Sequence, residues 1–304
     1  MDPGRWYMRD PQLAVVTCRD RVLLVRAGGR RAVDGVDAPA VSAALQQLVA
    51  PTPGQALAAD GLEAVLDAMA EVGGLLDGSS AEPLEEARNR ALTGSPGYHF
   101  APGPPQCERL VVGLTGTVIS GLMAPILLSL GYSGFHRELD VICTNAALRF
   151  VQPELFEYYG IRTWTDPFTR KPGLPVPHIL LGKSADLLAV MPATAASLSR
   201  LARGGCEDLL SLVAAATEAP VLLGPTMNTA MWDHRPVRRN VDQLRADGFY
   251  VVEPTFFFEA AELVHGVAPA CGMLGTFWGG PALFMDTVAA VLDDWRTSLP
   301  QPAG

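Results

Sequence analysis

The sequence predicts an α/β protein built on a doubly wound parallel sheet, with a small α+β unit ahead of it. Three observations carry this. From residue 109 onward, short apolar runs alternate with segments whose apolar residues recur at helical spacing, the pattern of strands joined by crossover helices. A stretch dense in Pro and Gly, Leu92 to Pro105, separates this region from the first ninety residues. The segments leaving the strands are small and uncharged, at the carboxyl ends where open α/β sheets bind ligands.

Taken in order, Leu13 to Thr17 and Val22 to Arg26 are β-branched or apolar runs separated by Cys18-Arg-Asp-Arg21, a hairpin signal. Ala38 to Val49 and Asp60 to Val72 carry apolar residues at helical spacing, with Pro39 in a first helical turn. Gly73 to Asp77 closes the unit. A hairpin and helices over residues 1–90 resemble the winged-helix-like domains that bind leader peptides in enzymes modifying ribosomally made peptides. A dimerisation or capping role fits the same pattern equally well. Residues 91–107 read as the linker, and residues 108–298 as the main domain.

In that domain Arg109 to Leu114 is the first strand and Val118 to Leu130 its helix. Leu139 to Cys143 is the second strand, and Ile161 to Thr165 a weaker third. Asp186 to Met191 is a buried strand followed by helices over Ala193 to Ala202 and Glu207 to Thr217. Val221 to Gly224 and Tyr250 to Val252 complete the sheet around a helix at Pro236 to Ala246. Pro281 to Trp295 ends the domain as an amphipathic helix.

Over 304 residues the net charge is −9 and no long basic run occurs, which disfavours nucleic acid and anionic membranes as partners. No segment approaches the roughly 20 apolar residues of a membrane span, and no signal-peptide pattern opens the chain, so a cytoplasmic protein is expected. The five cysteines are widely spaced and include no Cys-x-x-Cys pair, so neither a disulfide framework nor a zinc site is indicated.

The chemistry concentrates in the strand-end segments. Gly113-Leu-Thr-Gly-Thr-Val-Ile-Ser120 brings two glycines and three hydroxyls to a helix start, a phosphate cradle made of backbone N–H groups. Its spacing is not Gly-x-Gly-x-x-Gly, and the second strand ends in Thr144-Asn145 rather than in a ribose-binding acid, which favours a mononucleotide phosphate over NAD. Met191-Pro-Ala-Thr-Ala-Ala-Ser-Leu198 is again small and neutral. Pro225-Thr-Met-Asn-Thr-Ala-Met-Trp232 places one neutral amide, Asn228, beside polarizable and flat side chains suited to a planar ring.

With these residues in view, the segment from about 108 to 296 resembles the homo-oligomeric flavin-containing cysteine decarboxylases, Rossmann-like flavoproteins. That family includes lantibiotic and phosphopantothenoylcysteine decarboxylases. The resemblance rests on Gly113 to Thr117 with Ala124-Pro125, Thr144 with Ala147 and Phe150, and His178-Ile179 followed by Ala185-Asp186. It continues through Pro192-Ala-Thr-Ala195, Asp208 to Ser211, Pro225 to Trp232, Asn240 with Leu244, and Ala270-Cys-Gly272. It implies FMN, with its phosphate on Thr117 and Thr144 and its ring near Asn228 and Met231. Gly116, Val118, Ala147, Phe150, Pro192, Ala193 and Thr194 complete the expected cofactor set. It also implies trimers, often assembled into dodecamers.

By the same resemblance, His178 is the active-site histidine, Asn228 holds the substrate carboxylate, and Cys271 matches the cysteine that reduces an enethiol in phosphopantothenoylcysteine decarboxylases. A loop cysteine without a role is the even alternative for Cys271. Ala196 stands where the family carries Asn. The first reading is FMN-dependent oxidative decarboxylation of the C-terminal Cys of a ribosomally made precursor peptide to an aminoenethiol, for aminovinyl-cysteine formation alongside other peptide-modifying enzymes. The alternatives are a phosphopantothenoylcysteine decarboxylase and a non-catalytic flavoprotein regulatory subunit.

Overall fold

The structure is a computed structural model that describes residues 2–27, 29–57, 62–93, 104–169, 176–257, 273–275 and 280–299. The first part contributes β1 (Trp6–Arg9), β2 (Ala14–Cys18), β3 (Arg21–Arg26), β4 (Gly29–Asp34), α1 (Ala38–Gln47), β5 (Thr52–Pro53), α2 (Glu63–Glu71), β6 (Leu75–Gly78) and α3 (Ala81–Thr93). After it come β7 (Cys107–Leu114), α4 (Met123–Ser133), β8 (His136–Cys143), α5 (Pro153–Glu157), β9 (Arg162–Trp164), α6 (Pro177–Ser184) and β10 (Leu187–Ala193). The chain continues through α7 (Ala195–Ala202), α8 (Leu209–Ala216), β11 (Val221–Pro225), β12 (Met227–Asn228), α9 (Thr229–Trp232), α10 (Arg235–Ala246) and β13 (Tyr250–Val252). It closes with β14 (Thr255–Phe257), β15 (Met273–Gly275) and α11 (Gly280–Ser298).

Among the described residues nine strands form the large sheet, in the order β4-β3-β2-β13-β11-β10-β7-β8-β9. The run from β13 to β9 is parallel throughout. Read in chain order, those six strands lie 3-2-1-4-5-6, so the order reverses between β7 and β10 and opens a crevice there. Strand alternation builds a core on each face. Leu110, Val112 and Ala189 pack with Leu127, Phe284, Val288 and Val291 of α4 and α11. Val111, Leu188 and Val190 pack on the opposite face with Leu181, Leu198, Val213, Val241 and Leu244.

The hairpin expected at 13–26 is β2 and β3, and it extends the large sheet: Thr17 and Val16 pair antiparallel with Val251 and Val252 of β13. Leu13, Val15, Val22 and Leu24 face a third core with Leu45, Leu66 and Met69, while Val16 and Leu23 join the core under α11. β1 stands apart in a small sheet between β5 and β6. The helix expected from Val118 begins instead as a tight turn over Val118–Leu122, and α4 follows it. The Ser120 hydroxyl donates to the Thr115 carbonyl at 2.5 Å and holds the chain in that turn. Pro125 then sits in the first turn of α4, where its missing N–H is not needed.

Candidate functional site

The loops after β7, β8, β10 and β11 are laced together into one rim along the carboxyl edge of the sheet. The Thr144 amide donates to the Leu114 carbonyl at 3.1 Å. Thr115 bridges the crevice: its hydroxyl donates to the Pro192 carbonyl at 2.6 Å and accepts from the Thr194 amide at 3.1 Å. The Thr226 amide donates to the Ala193 carbonyl at 2.9 Å. At Gly116 a Cβ would fall 2.4 Å from that of Ala146, so only glycine lets the first two loops approach this closely.

The threonines of the rim organise backbone. Thr117 caps the turn that follows it, accepting from the Ile119 amide at 3.4 Å. Among the described residues no group accepts its hydroxyl proton. Thr144 is nearly buried and engaged at both ends, donating to the Leu114 carbonyl at 3.1 Å and accepting from the Ala147 amide at 3.3 Å. Thr194 caps α7, accepting from the Ser197 amide at 3.3 Å. Ala147 and Ala193 are fully buried and offer the rim backbone only, whereas Val118, Phe150 and Met231 expose apolar side chains at it.

Asn228 caps α9. Its side-chain oxygen accepts from the Met231 amide at 2.8 Å, which leaves the two N–H donors of the side chain without a partner among the described residues. Asn228 also pairs with Met273 of β15, two positions after Cys271, which itself lies outside the described residues. His178 occupies the first turn of α6, which returns the chain from the end of β9 to the start of β10. That crossover puts His178 on the edge where the strands end. Its Nδ1 is buried without a hydrogen-bond partner among the described residues. An orphaned buried nitrogen is costly, and a ligand would relieve it.

The rim loops Leu114–Thr117, Thr144–Ala147, Pro192–Ser197 and Pro225–Met231 carry no charged side chain. They offer capped helix starts, hydroxyls and backbone N–H groups, a donor set that suits a phosphate and the carbonyls of a flat heterocycle. Beyond β8 a cavity of about 410 Å³ is lined by Thr144, Asn145, Asp166, Glu207 and Asp208 among others. Glu207 and Asp208 there are held by Arg200 and Arg203, so among the described residues this cavity presents no free cation to a phosphate, whereas the Gly116–Val118 turn presents backbone N–H groups. Burial pushes the Cys18 thiol up to about 11 and those of Cys107 and Cys143 up to about 12, so these three are not poised as nucleophiles. No His, Cys, Asp and Glu cluster among the described residues could hold a metal ion, and none of the helices described is long and apolar enough to cross a membrane. Thr115 was not among the expected site residues. Its signal lay inside the Thr115-Gly116-Thr117 run, where a buried hydroxyl and an exposed one look alike in sequence.

The profile of the Flavoprotein family matches residues 103–270. The chain is 39% identical over 148 residues to the coenzyme A biosynthesis bifunctional protein CoaBC of Mycobacterium tuberculosis, covering 48% of this chain and 34% of that protein. The chain thus spans about a third of the length of the bifunctional relatives it matches. Mersacidin decarboxylase of a Bacillus strain is 29% identical over 147 residues, 48% of this chain and 74% of its own. The crystal structure of the FMN-dependent cysteine decarboxylase SpaF superposes with a TM-score of 0.50 at 32% identity, covering 62% of this chain and 96% of SpaF.

Proposed function

Because the chain belongs to the Flavoprotein family of FMN-dependent cysteine decarboxylases, we propose that it oxidatively decarboxylates the C-terminal cysteine of a ribosomally made precursor peptide. The product is an aminoenethiol, the precursor of an aminovinyl-cysteine ring. The observation that carries this reading is the state of Asn228, whose oxygen is spent on the Met231 amide while its N–H donors have no partner among the described residues and would serve a ligand.

The residues of the rim fit FMN. Backbone N–H groups of Gly116 to Val118 and the Thr117 hydroxyl would hold the phosphate, with Thr144 shaping the neighbouring turn rather than donating. Phe150, Thr194 and Met231 would close on the ring. FMN, when bound, supplies the acceptor for the two electrons that leave the Cβ–sulfur unit of the cysteine.

The remaining tasks fall to side chains. Asn228 donates to the substrate carboxylate and fixes its direction without a full positive charge. A cation there would stabilise the carboxylate more than the departing carbon dioxide and slow its loss. His178 takes the thiol proton through a ring nitrogen or donates to the sulfur as charge gathers on it. The winged-helix-like pattern of residues 1–90, joined to the sheet through β2, supports a leader-binding role for that part. Leu122, Phe150, Tyr158, Phe168 and Ile179 are large apolar side chains left exposed, which supports burial against further copies in a trimer or dodecamer.

The higher identity to CoaBC favours a second reading, phosphopantothenoylcysteine decarboxylase, in which Arg235 and Arg239 would meet the substrate phosphate. One assay separates the two. Purified FMN-loaded protein is given peptides ending in Cys and, in parallel, phosphopantothenoylcysteine. Loss of carbon dioxide plus two hydrogens from the peptide supports the first reading. Loss of carbon dioxide alone from the phosphorylated substrate, with the peptides untouched, overturns it.

A further inference from the structure

Arg238 connects two parts of the molecule that the sequence keeps far apart. Its guanidinium lies 4.9 Å from the ring centre of Trp232, a fully buried side chain that ends the short helix capped by Asn228. The Nη2 group donates to the Ser42 hydroxyl of α1 at 3.3 Å. Ser42 is itself fully buried, and its proton goes to Oε2 of Glu253 at 2.6 Å. A single hydroxyl therefore accepts from Arg238 and donates to Glu253.

Glu253 is the anchor of this chain of contacts. It is almost wholly buried, and its Oε1 accepts from Thr17 of β2 at 2.7 Å and from Arg245 of α10. Arg245 also donates to Thr17 at 2.8 Å and to Asp242 at 2.7 Å. Arg9 reaches the Glu253 carbonyl at 3.2 Å, and the Glu253 amide donates to Val15 at 2.7 Å. Thr17 of β2 and Ser42 of α1 thus supply two of the three side-chain partners of the carboxylate, while Arg9 of β1 and Val15 of β2 hold the backbone of Glu253, the residue that follows β13. Burial pulls the Arg238 pKa below the ordinary arginine value, with the charge of Glu253 opposing it, and Nη1 of Arg238 is buried with no partner among the described residues. An apolar side chain would pack against Trp232 without leaving a buried donor unused.

We propose that Arg238 is a positioning residue, through which the docked N-terminal part sets the Pro225–Trp232 segment and hence Asn228. This rests on the reading of Asn228 as the carboxylate anchor. Ser42 is the site at which to test it, because Ser42 belongs to another element and its loss leaves Glu253 held by Thr17 and Arg245.

The test compares Ser42→Ala and Arg238→Met in the full FMN-loaded chain, by hydrogen exchange and by steady-state kinetics on whichever of the two substrates is turned over. Both variants should lose protection over residues 225–232 by roughly tenfold, a local opening, while β7 and β10 stay protected. Both should raise KM several-fold with little change in kcat, and the double variant should be no worse than either single one. Unchanged exchange at 225–232, or a loss spread evenly over the chain, overturns the proposal, as does additivity of the two changes. Asn228→Asp serves as the control. If it leaves KM unaltered, the carboxylate-anchor reading has failed. If it raises KM while Ser42→Ala and Arg238→Met do not, the positioning role has failed on its own.

Discussion

The hydroxyl of Thr115 donates to the carbonyl oxygen of Pro192 across 2.6 Å, at the place where the strand order of the sheet reverses. The Thr115 hydroxyl oxygen in turn accepts from the Thr194 amide at 3.1 Å. One side chain thus fixes the width of the crevice between the two loops expected to flank FMN.

Replacing Thr115 by Val keeps the shape and removes both bonds. The stranded Pro192 carbonyl and Thr194 amide should cost about 1–3 kcal/mol of stability. FMN retention should weaken as well, read as a higher Kd by fluorescence titration, and Thr115→Ser should restore it. Equal Kd values for Val and wild type would show that the crevice needs no such tie.

Asn228 gives a way to separate fold from chemistry. Aspartate caps helices as well as asparagine does, so Asn228→Asp should leave Tm nearly unchanged. Its negative charge would face the substrate carboxylate, so KM should rise at least tenfold. Asn228→Ala loses the cap too and should cost about 0.5–2 kcal/mol besides. An Asp variant with wild-type KM would remove Asn228 from carboxylate binding.

The sheet and its rim were legible for physical reasons. Val111, Leu188 and Leu222 sit in strands buried on both faces, so their segments read as short apolar runs between turn signals. The segments at 113–120, 191–198 and 225–232 stood out because small neutral residues repeat at each strand end. β4 was not legible: Gly29-Arg-Arg-Ala-Val-Asp34 is an edge strand exposed along nearly its whole length, so no alternation marks it. Nor did the sequence reveal that the 13–26 hairpin extends the main sheet. That depends on a ladder between Val16 and Val252, more than two hundred residues apart. The roles of Thr115 and Glu253 are likewise tertiary, set by partners that no local spacing predicts.

Acid should destabilise the fold partly through His136 at the start of β8. Burial lowers its pKa below the ordinary 6.5. As pH falls past that value the unfolded chain takes up a proton that the folded chain refuses, so stability declines until the folded pKa is passed. His136→Asn should therefore flatten the fall in Tm just below pH 6.5 relative to wild type. Parallel Tm curves for the two proteins across that window would exclude His136 as a contributor.

The pairing of β2 with β13 bears on how this chain could be rebuilt. With residues 2–93 cut away, β13 would bare a row of unpaired N–H and C=O groups, a template for joining another chain edge to edge. Glu253 would at the same time lose the Thr17 and Ser42 hydroxyls. A transplanted front end would succeed only if it arrived with its own antiparallel strand for that flank and two hydroxyls for the carboxylate behind it. The two parts are not modules on a string but a graft whose cut surface has healed into the sheet.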